Sequence, residues 1–530
     1  ATSARQVKKR GTVSNSALVA AGIFLSRIMG FVRQRVFGYY FGISDAADVF
    51  NAAFRIPNFL QNLFGEGALS ASFIPVYAKL RAEGRDDDAV KVANAVISLL
   101  ALAVSLIVAA GIILAPLLVS VIAPGFTGEK MEYTVLLVRI LFPGAGILVL
   151  SAWCLGVLNS HGRFFLSYVA PVIWNAAIIA GLVVFGRWNS SYTLACYIAW
   201  ASVAGSLLQF VVQLPPVLGF TGGLRPALHR GMSSVRTVMV NFVPAFVSRG
   251  VVQVSAFIDS IIASLLGSGA VAVVACAQTI YTLPVSLFGM AVTAAELPAM
   301  SGETGSREQV AAALRLRLEK ALARIAFFIV PSSAAFFAFG DIITAALYKT
   351  GKFDDRGVLF VWITLCGSSV GLLASTSARL ISSAFYALHD TRTPFRFAMA
   401  RVITAALLCV VLAFSLPDLL GIDPVFGTAG LTLASGLAAW LEFYFLKRSL
   451  VSVIGAFHMR KGLMVRLWFP AICAVAAGWG VKTALSFFMT IHPAFNAVMI
   501  LGVFGVLYLS LTAILGVEES AVFIRRIFRK

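Results

Sequence analysis

Long apolar runs recur along this chain from Ser14 to Gly516, with short polar stretches between them. A helix needs about 20 apolar residues to cross a hydrocarbon core about 30 Å thick, and the runs repeatedly reach that length. Of the 530 residues, 59% are hydrophobic and only 12% are charged, whereas soluble domains carry roughly 25% charged residues. The runs therefore predict an all-α polytopic membrane protein and exclude a soluble fold.

Helix lengths and breaking residues predict fourteen membrane-spanning helices. They cover 14–41, 48–79, 91–122, 131–158, 164–186, 192–217, 233–266, 271–300, 309–339, 357–388, 394–416, 426–453, 462–487 and 494–516. Because Lys and Arg concentrate in cytoplasmic loops, their alternation predicts a multi-pass membrane protein with both ends in the cytoplasm. The first run is too long for a signal-peptide core and ends in no small-residue cleavage pattern, so we interpret it as a retained helix.

The two halves of the chain share short motifs in the same order. Leu63-Phe64-Gly65 corresponds to Leu287-Phe288-Gly289, and the loop at 159–164 corresponds to the loop at 388–393. Six predicted spans separate the copies, so both have the same orientation, as in transporters whose two lobes enclose a site near the membrane midplane. The predicted domains are an N-terminal lobe at 1–225, a C-terminal lobe at 226–455, and an additional helix pair with a basic tail at 456–530.

Eight arginines fall inside the predicted spans, where each costs at least about 2.5–3.5 kcal/mol at the bilayer centre. They are Arg27, Arg33, Arg35, Arg55, Arg139, Arg249, Arg379 and Arg401. The acids there are fewer, namely Asp48, Glu66, Asp259, Glu296 and Glu442. Surplus guanidinium groups in a watery cavity suit diphosphate, because arginine offers phosphate oxygens a planar fork of donors. The sequence therefore predicts an anionic cargo.

Arg27 and Arg33 lie on either side of Gly30, where a bend would turn both toward one cavity. We assign Asp48, Glu66 and Asp259 to charge-pair or coupling roles. For Glu66, an ion pair with a neighbouring arginine is the first interpretation, and coupling to a proton or ion is the second.

Helix breakers occur at equivalent places in the two halves. Pro57, Gly65 and Gly67 interrupt the second predicted helix, and Gly289 lies between two prolines in the eighth. Proline removes a backbone donor and glycine makes bending easier. We therefore predict a hinge in each lobe, with ordinary kinks that do not move as the alternative.

Motifs for catalysis are missing from the sequence. Thr350-Gly351-Lys352 lacks the upstream glycine and the following Ser or Thr of a phosphate-binding loop, and the five histidines and six cysteines have no metal or redox spacing. The net charge of +19 reflects the cytoplasmic excess, which suits contact with anionic membrane lipids rather than nucleic acid. We predict a transporter without a cofactor, driven by membrane potential, downstream consumption or a monovalent ion.

The densest motif of the chain lies near its beginning. Ser26-Arg27-Ile28-Met29-Gly30-Phe31-Val32-Arg33, then Asp48, then Arg55-Ile56-Pro57-Asn58 and Phe64-Gly65-Glu66-Gly67-Ala68 resemble the opening of the MurJ/MviN lipid II flippases. Later stretches agree, including Tyr386 to Pro394.

This resemblance implies the fold of the MATE-like exporter superfamily, with a cationic central cavity that binds the diphosphate-sugar headgroup of lipid II and alternates between inward-open and outward-open states. Helices thirteen and fourteen would form a groove for the polyprenyl tail. Cell-wall synthesis proteins are the partners that it implies. The substrate-binding residues are then Ser26, Arg27, Arg33, Arg55, Asn58 and Arg249.

The sequence departs from the family pattern at two places. Gln61 stands where many members have arginine, and Gln278-Thr279 stands where many have an acid followed by arginine. We expect Arg55 and Arg249 to replace part of the lost positive charge.

Other functions remain open from the sequence. They are a flippase for another polyprenyl-linked oligosaccharide, a cation-coupled drug exporter of the same fold, a membrane glycosyltransferase and a scaffold that transports nothing. Arg27 and Arg33 argue against the cation exporter, and the short loops argue against the glycosyltransferase.

Overall fold

The structure is a computed structural model that describes residues 22, 24–187, 189–225, 232–303, 305–488 and 492–528. Within the helices, the side chains outside this description are at 57, 65–67, 70–71, 244–245, 247–256, 486–488, 524 and 526–528. Every regular element in the described residues is helical, as the sequence predicts.

Two compact units divide the chain, Ala1–Leu265 and Leu266–Lys530. The helices of the first unit are α1 (24–41), α2 (Asp45–Leu60), the π-helical segment π1 (Gln61–Leu69), α3 (Ser70–Ala82), α4 (Asp86–Ile113), α5 (Ala115–Ile122), α6 (Gly128–Ser160), α7 (Phe164–Phe185), α8 (Ser191–Thr221) and α9 (Ser233–Ser264). By its contacts α9 thus belongs to the first unit. The predicted lobe boundary at 225 follows the sequence repeat instead and stays a prediction.

The second unit continues with helices of similar length. They are α10 (Ala270–Pro284), π2 (Val285–Met290), α11 (Ala291–Ser301), α12 (Arg307–Tyr348), α13 (Asp355–Ala387), α14 (Arg392–Cys409), π3 (Val410–Ser415), α15 (Leu416–Leu420), a short 3-10 turn (Pro424–Phe426), α16 (Gly427–Ile454), α17 (Leu463–Phe488), α18 (Pro493–Ile514) and α19 (Glu518–Phe528).

Eleven helices in the described residues are long and apolar enough to cross a membrane, and each coincides with one predicted span. The predicted spans outside this set are 14–41, 48–79 and 233–266, and the first begins outside the described residues. These three spans carry Arg27, Arg33, Arg55 and Arg249, the four arginines predicted to bind substrate. The count of fourteen stays a prediction.

The two halves share local backbone structure at an offset of 227 residues. The Arg163 amide donates to the Leu158 carbonyl at 2.9 Å, and the Asp390 amide donates to the Phe385 carbonyl at 2.9 Å. Between these ends, Gly162 and His389 both adopt left-handed backbone, with φ of 71° and 62°. The same type of turn also ends α3, where the Arg85 amide donates to the Leu80 carbonyl at 2.9 Å, so these turns agree with the internal repeat without being specific to it.

A π-helical segment interrupts the helix of each half at the shared Leu-Phe-Gly motif. Gly65 and Gly67 lie in π1, and Gly289 lies in π2. A π-helical turn contains an extra residue, and such turns occur frequently at functional sites. The structure therefore places a local irregularity where the sequence predicts hinges, while hinge motion itself stays a prediction.

Within the first unit, α1 lies along α7. A Cβ at Gly22 would meet Tyr168, one at Gly30 would come within 4.0 Å of Asn175 Oδ1, and one at Gly186 would meet the ring of Tyr40. The contacts rise in the same order along both helices, so α1 and α7 run in the same direction. This direction agrees with the first and fifth spans of the predicted topology.

Within the second unit, α13 and α16 make a close helix contact. A Cβ on Gly371 would lie 2.3 Å from the Gly436 Cα, so only glycine allows the two backbones to approach this closely. Small residues at helix contacts are the usual means of packing helices in lipid, where apolar burial gives no preference for protein over lipid.

Replacing Gly371 with alanine tests this contact. Overpacking costs about 1–3 kcal/mol, more than the gain of up to about 1 kcal/mol in helix propensity, so we expect Gly371→Ala to lower the melting temperature of the purified protein. Gly480 has no atom within 4 Å of an added Cβ, so Gly480→Ala is the matched control. An equal effect of both substitutions would contradict the proposed packing.

Candidate functional site

Arg33 on α1 lies against an aromatic pair from two neighbouring helices. Its guanidinium carbon is 5.2 Å from the ring centroid of Phe54 on α2 and 5.4 Å from that of Trp174 on α7. The two rings stack on each other, with centroids 5.5 Å apart and planes 9° apart. A cation at this distance from ring faces is attracted by their quadrupoles.

The remaining predicted residues of α1 lie one and two turns away. Arg27 is exposed, while Ser26 and Gly30 are half-buried. The exposed guanidinium of Arg27 and the half-buried one of Arg33 therefore lie in different environments.

Arg55 on α2 is opposed by a carboxylate of α9. Asp259 exerts a favourable electrostatic effect on the Arg55 guanidinium, and Phe59 packs edge-on against Phe257, with ring centroids 5.1 Å apart. The structure thus brings together Arg55 and Asp259, one arginine and one acid that the sequence predicts for the site. Asn58 on the same helix is half-buried.

Asp48 forms an ion pair that the sequence analysis missed. Lys130 Nζ lies 2.7 Å from both Asp45 Oδ1 and Asp48 Oδ2, and it also lies 4.3 Å from the ring centroid of Phe126. Asp48 is fully buried, with 0% of its surface exposed. A charge-pair role therefore fits Asp48, and its cation comes from the start of α6.

The side chains of Pro57, Glu66 and Arg249 lie outside the described residues, so their predicted roles stay predictions. Backbone placement alone is described for these residues and for Gly65 and Gly67. At the predicted hinge of the second half, a Cβ on Gly289 would lie 2.3 Å from Thr376 Cγ2, so π2 packs directly on α13.

Other intramembrane arginines have local polar partners. Arg401 Nη1 lies 3.2 Å from Glu442 Oε2, and Arg139 Nε donates to the Ile112 carbonyl at 3.3 Å. Arg379 is exposed on an otherwise buried stretch of α13. Arg401 and Arg139 are thus accounted for by local partners.

The second unit contains an apolar cavity of about 560 Å³. Its wall comes from four helices and includes Ser333 and Phe337 of α12, Val370 of α13, Trp440 of α16, and Trp468 and Ile472 of α17. Trp440 is fixed by a hydrogen bond from Nε1 to the Val370 carbonyl at 2.8 Å. A cavity of this volume and polarity is suited to an apolar chain.

The helices that line this cavity are only partly those of the expected tail groove, which stays a prediction. The expected groove uses helices thirteen and fourteen, which correspond to α17 and α18. In the described structure, α17 lines the cavity together with α12, α13 and α16. By contrast, α18 packs its Phe504 and Tyr508 into the core with Phe327 and Phe339 of α12. Since α18 buries these rings in the core, it supports the wall from behind.

The described helices form a multi-pass helical membrane protein, and its likeness to two solved transporters assigns it the MATE-like fold. The solved structure of a lipid II flippase MurJ in an inward closed conformation superposes with a TM-score of 0.75 at 22% identity, covering 94% of this chain and 98% of that one. An inward-facing multidrug resistance MATE transporter gives a TM-score of 0.62 at 16% identity, covering 81% and 95%.

Sequence comparison identifies the family. The lipid II flippase MurJ family model matches residues 37–504. The lipid II flippase MurJ of Burkholderia cenocepacia is 32% identical over 491 residues, which cover 87% of this chain and 90% of that protein. A probable lipid II flippase MurJ of Rhizobium tropici is 33% identical over 446 residues, covering 82% and 79%. The chain belongs to the lipid II flippase MurJ family, a family of transporters and not of enzymes.

Removal of Lys130 tests the buried ion pair. Deleting one partner of a buried ion pair costs about 3–5 kcal/mol, so we expect Lys130→Ala to lower the melting temperature clearly, and Lys130→Arg to restore most of it. Lys91→Ala is the control, because Lys91 pairs with Asp88 at 3.4 Å with both side chains open to solvent. A melting temperature unchanged in Lys130→Ala would contradict a stabilising role for the pair.

Proposed function

We propose that this protein flips lipid II, the lipid-linked peptidoglycan precursor, from the inner to the outer leaflet of the bacterial inner membrane. Family membership over most of the chain supports this cargo. The structural observation that carries the proposal is Arg33, an intramembrane guanidinium that lies on aromatic rings and has no carboxylate partner in the described residues.

The headgroup is held by arginines of the first unit. A diphosphate presents several anionic oxygens, and the fork of an arginine binds them bidentately. Arg27 and Arg33 of α1 supply positive charge for these oxygens. Arg55 of α2, which lies opposite Asp259, and Arg249 of α9 supply more. Ser26 and Asn58 add polar contacts.

The polyprenyl tail occupies the apolar cavity of the second unit. Each CH₂ group moved from water into an apolar environment contributes about 0.8 kcal/mol, and because the tail leaves lipid rather than water, the cavity contributes less than this per CH₂ group and only part of the affinity for lipid II. The cavity thus orients the cargo while the arginines bind it.

Transport follows alternating access, with π1 and π2 as the segments that bend. The loops that carry most Lys and Arg, the segment before α1 and the segment after α18 lie on the cytoplasmic side. The protein needs no cofactor, and the energy comes from the membrane potential, from consumption of the product, or from a monovalent ion. Proteins of cell-wall synthesis are the partners that consume the product.

A translocation assay tests the headgroup assignment. In cells depleted of their own flippase, we expect wild type to export lipid II, and Arg27→Ala and Arg33→Ala each to reduce export at least about tenfold, since a charge-assisted hydrogen bond is worth about 1.5–3 kcal/mol. Arg139→Ala is the matched control, because that guanidinium is bonded to the Ile112 carbonyl. Unchanged export in both α1 variants would contradict the assignment, and export of a different lipid-linked oligosaccharide alone would replace the cargo.

Filling the cavity tests the tail assignment. Ala334 lines the cavity, and we expect Ala334→Trp to lower the affinity for lipid II while leaving unchanged the affinity for a soluble headgroup analogue without a tail. Val498→Trp, at a lipid-facing position with 69% exposure, controls for the added bulk. Equal losses for the two ligands would show that Ala334→Trp acts outside the tail site.

A further inference from the structure

Trp174 occupies a defined place between two helices. Its indole Nε1 donates to the Ser202 carbonyl at 3.1 Å and to Ser202 Oγ at 3.2 Å, so α8 fixes the plane of the ring. Phe54 stacks on the indole, and the planes of the two rings are 9° apart. Both rings are 8% exposed, so the surrounding helices leave them little freedom to turn.

The guanidinium of Arg33 lies over this fixed pair. Its carbon is 5.2 Å from one centroid and 5.4 Å from the other. An interaction with a ring face attracts the cation but uses none of the five N–H donors of arginine. A carboxylate partner would instead occupy two of those donors in a bidentate pair.

Two other arginines at membrane depth differ in this respect. One N–H donor of Arg401 is used by Glu442, and one N–H donor of Arg139 bonds to a backbone carbonyl. In the described part of the chain, Arg33 has neither a carboxylate within ion-pair distance nor a hydrogen bond. Its donors are therefore available to an anionic ligand, while its position is set by the two rings.

We propose that Trp174, anchored by Ser202, is the positioning residue that presents Arg33 to the phosphate oxygens of the cargo. This inference rests on the proposed function and assigns the aromatic pair a role beyond packing. The indole holds the cation at a fixed place before the ligand arrives, so little side-chain freedom is lost on binding.

A double-mutant cycle tests this role. Lipid II binding and initial rates of translocation are measured with purified protein in lipid vesicles for wild type, Arg33→Ala, Trp174→Leu and the double variant. Because a desolvated cation–π contact is worth up to about 2 kcal/mol, we expect Trp174→Leu to weaken binding about tenfold, to raise KM more than it lowers kcat, and to have no further effect when Arg33 is already alanine.

Conservative and control variants separate positioning from packing. Trp174→Phe keeps a ring face and is expected to recover most of the affinity, whereas Ser202→Ala removes one anchor and gives a smaller loss. Trp200→Leu on the same helix as Ser202 changes an indole with 58% exposure and is expected to bind like wild type. If Trp174→Leu lowers the melting temperature strongly, Phe54→Leu replaces it in the cycle.

The outcomes distinguish this inference from the proposed function. Additive losses in the double variant, or normal binding by Trp174→Leu alongside weak binding by Arg33→Ala, would overturn the positioning role and leave the flippase proposal standing. Absence of lipid II binding in wild type would overturn the proposed function and the inference together.

Discussion

The cost of a charge at membrane depth governs how this chain is built. An arginine in the hydrocarbon region must find a carboxylate, a free carbonyl, an aromatic face or water. Arg401 uses Glu442, Arg139 uses the end of α4, and Arg55 lies opposite Asp259. Arg33 uses ring faces. These partners differ in what they leave available, because a ring face attracts the cation without neutralising its charge or occupying its N–H donors.

The backbone is under the same constraint, because its polar groups also need partners at membrane depth. A membrane helix must satisfy its own amides and carbonyls, and irregular backbone is tolerated only where protein or water replaces the missing bonds. The segments π1 and π2 occur at the Leu-Phe-Gly motif of each half, and π2 packs against Thr376 of α13. Because the irregularity recurs at equivalent places in two halves that otherwise differ in sequence, it belongs to the plan of the repeat and not to one local packing defect.

Features with a strong local signal were predictable from sequence. Apolar runs gave eleven spans that coincide with helices, and the paired loops contain turns with the same hydrogen bonds, although these turns match two residues away from the predicted register. The predicted spans contain fewer acids than arginines. The sequence therefore indicates that the few acids pair with arginines. The predicted second helix at 48–79 corresponds to the contiguous segments α2, π1 and α3, and Gly65 and Gly67 indicated an irregularity there without revealing that it is π-helical.

Long-range partners carried no such signal. The predicted spans place Lys130 in a loop. The carboxylates that pair with it lie 82 and 85 residues earlier in the chain. Trp174 lies in an apolar run where a tryptophan resembles ordinary core, so its contact with Arg33 depends on the packing of α1 against α7. The sequence signal that could have indicated this contact is an aromatic residue at membrane depth together with an arginine that has no acid partner.

On the proposed function, the contact of Arg33 with ring faces also affects the energetics of transport. With a carboxylate partner, the empty site would be neutral, and an anionic headgroup would have to displace that partner. With ring faces, the empty site keeps a positive charge that the diphosphate neutralises on binding. The loaded and empty protein therefore carry different charge through the membrane, where each elementary charge is worth about 2.3 kcal/mol per 100 mV. Because the diphosphate neutralises the loaded site, an inside-negative potential acts on the return step, where it draws the empty cationic site inward.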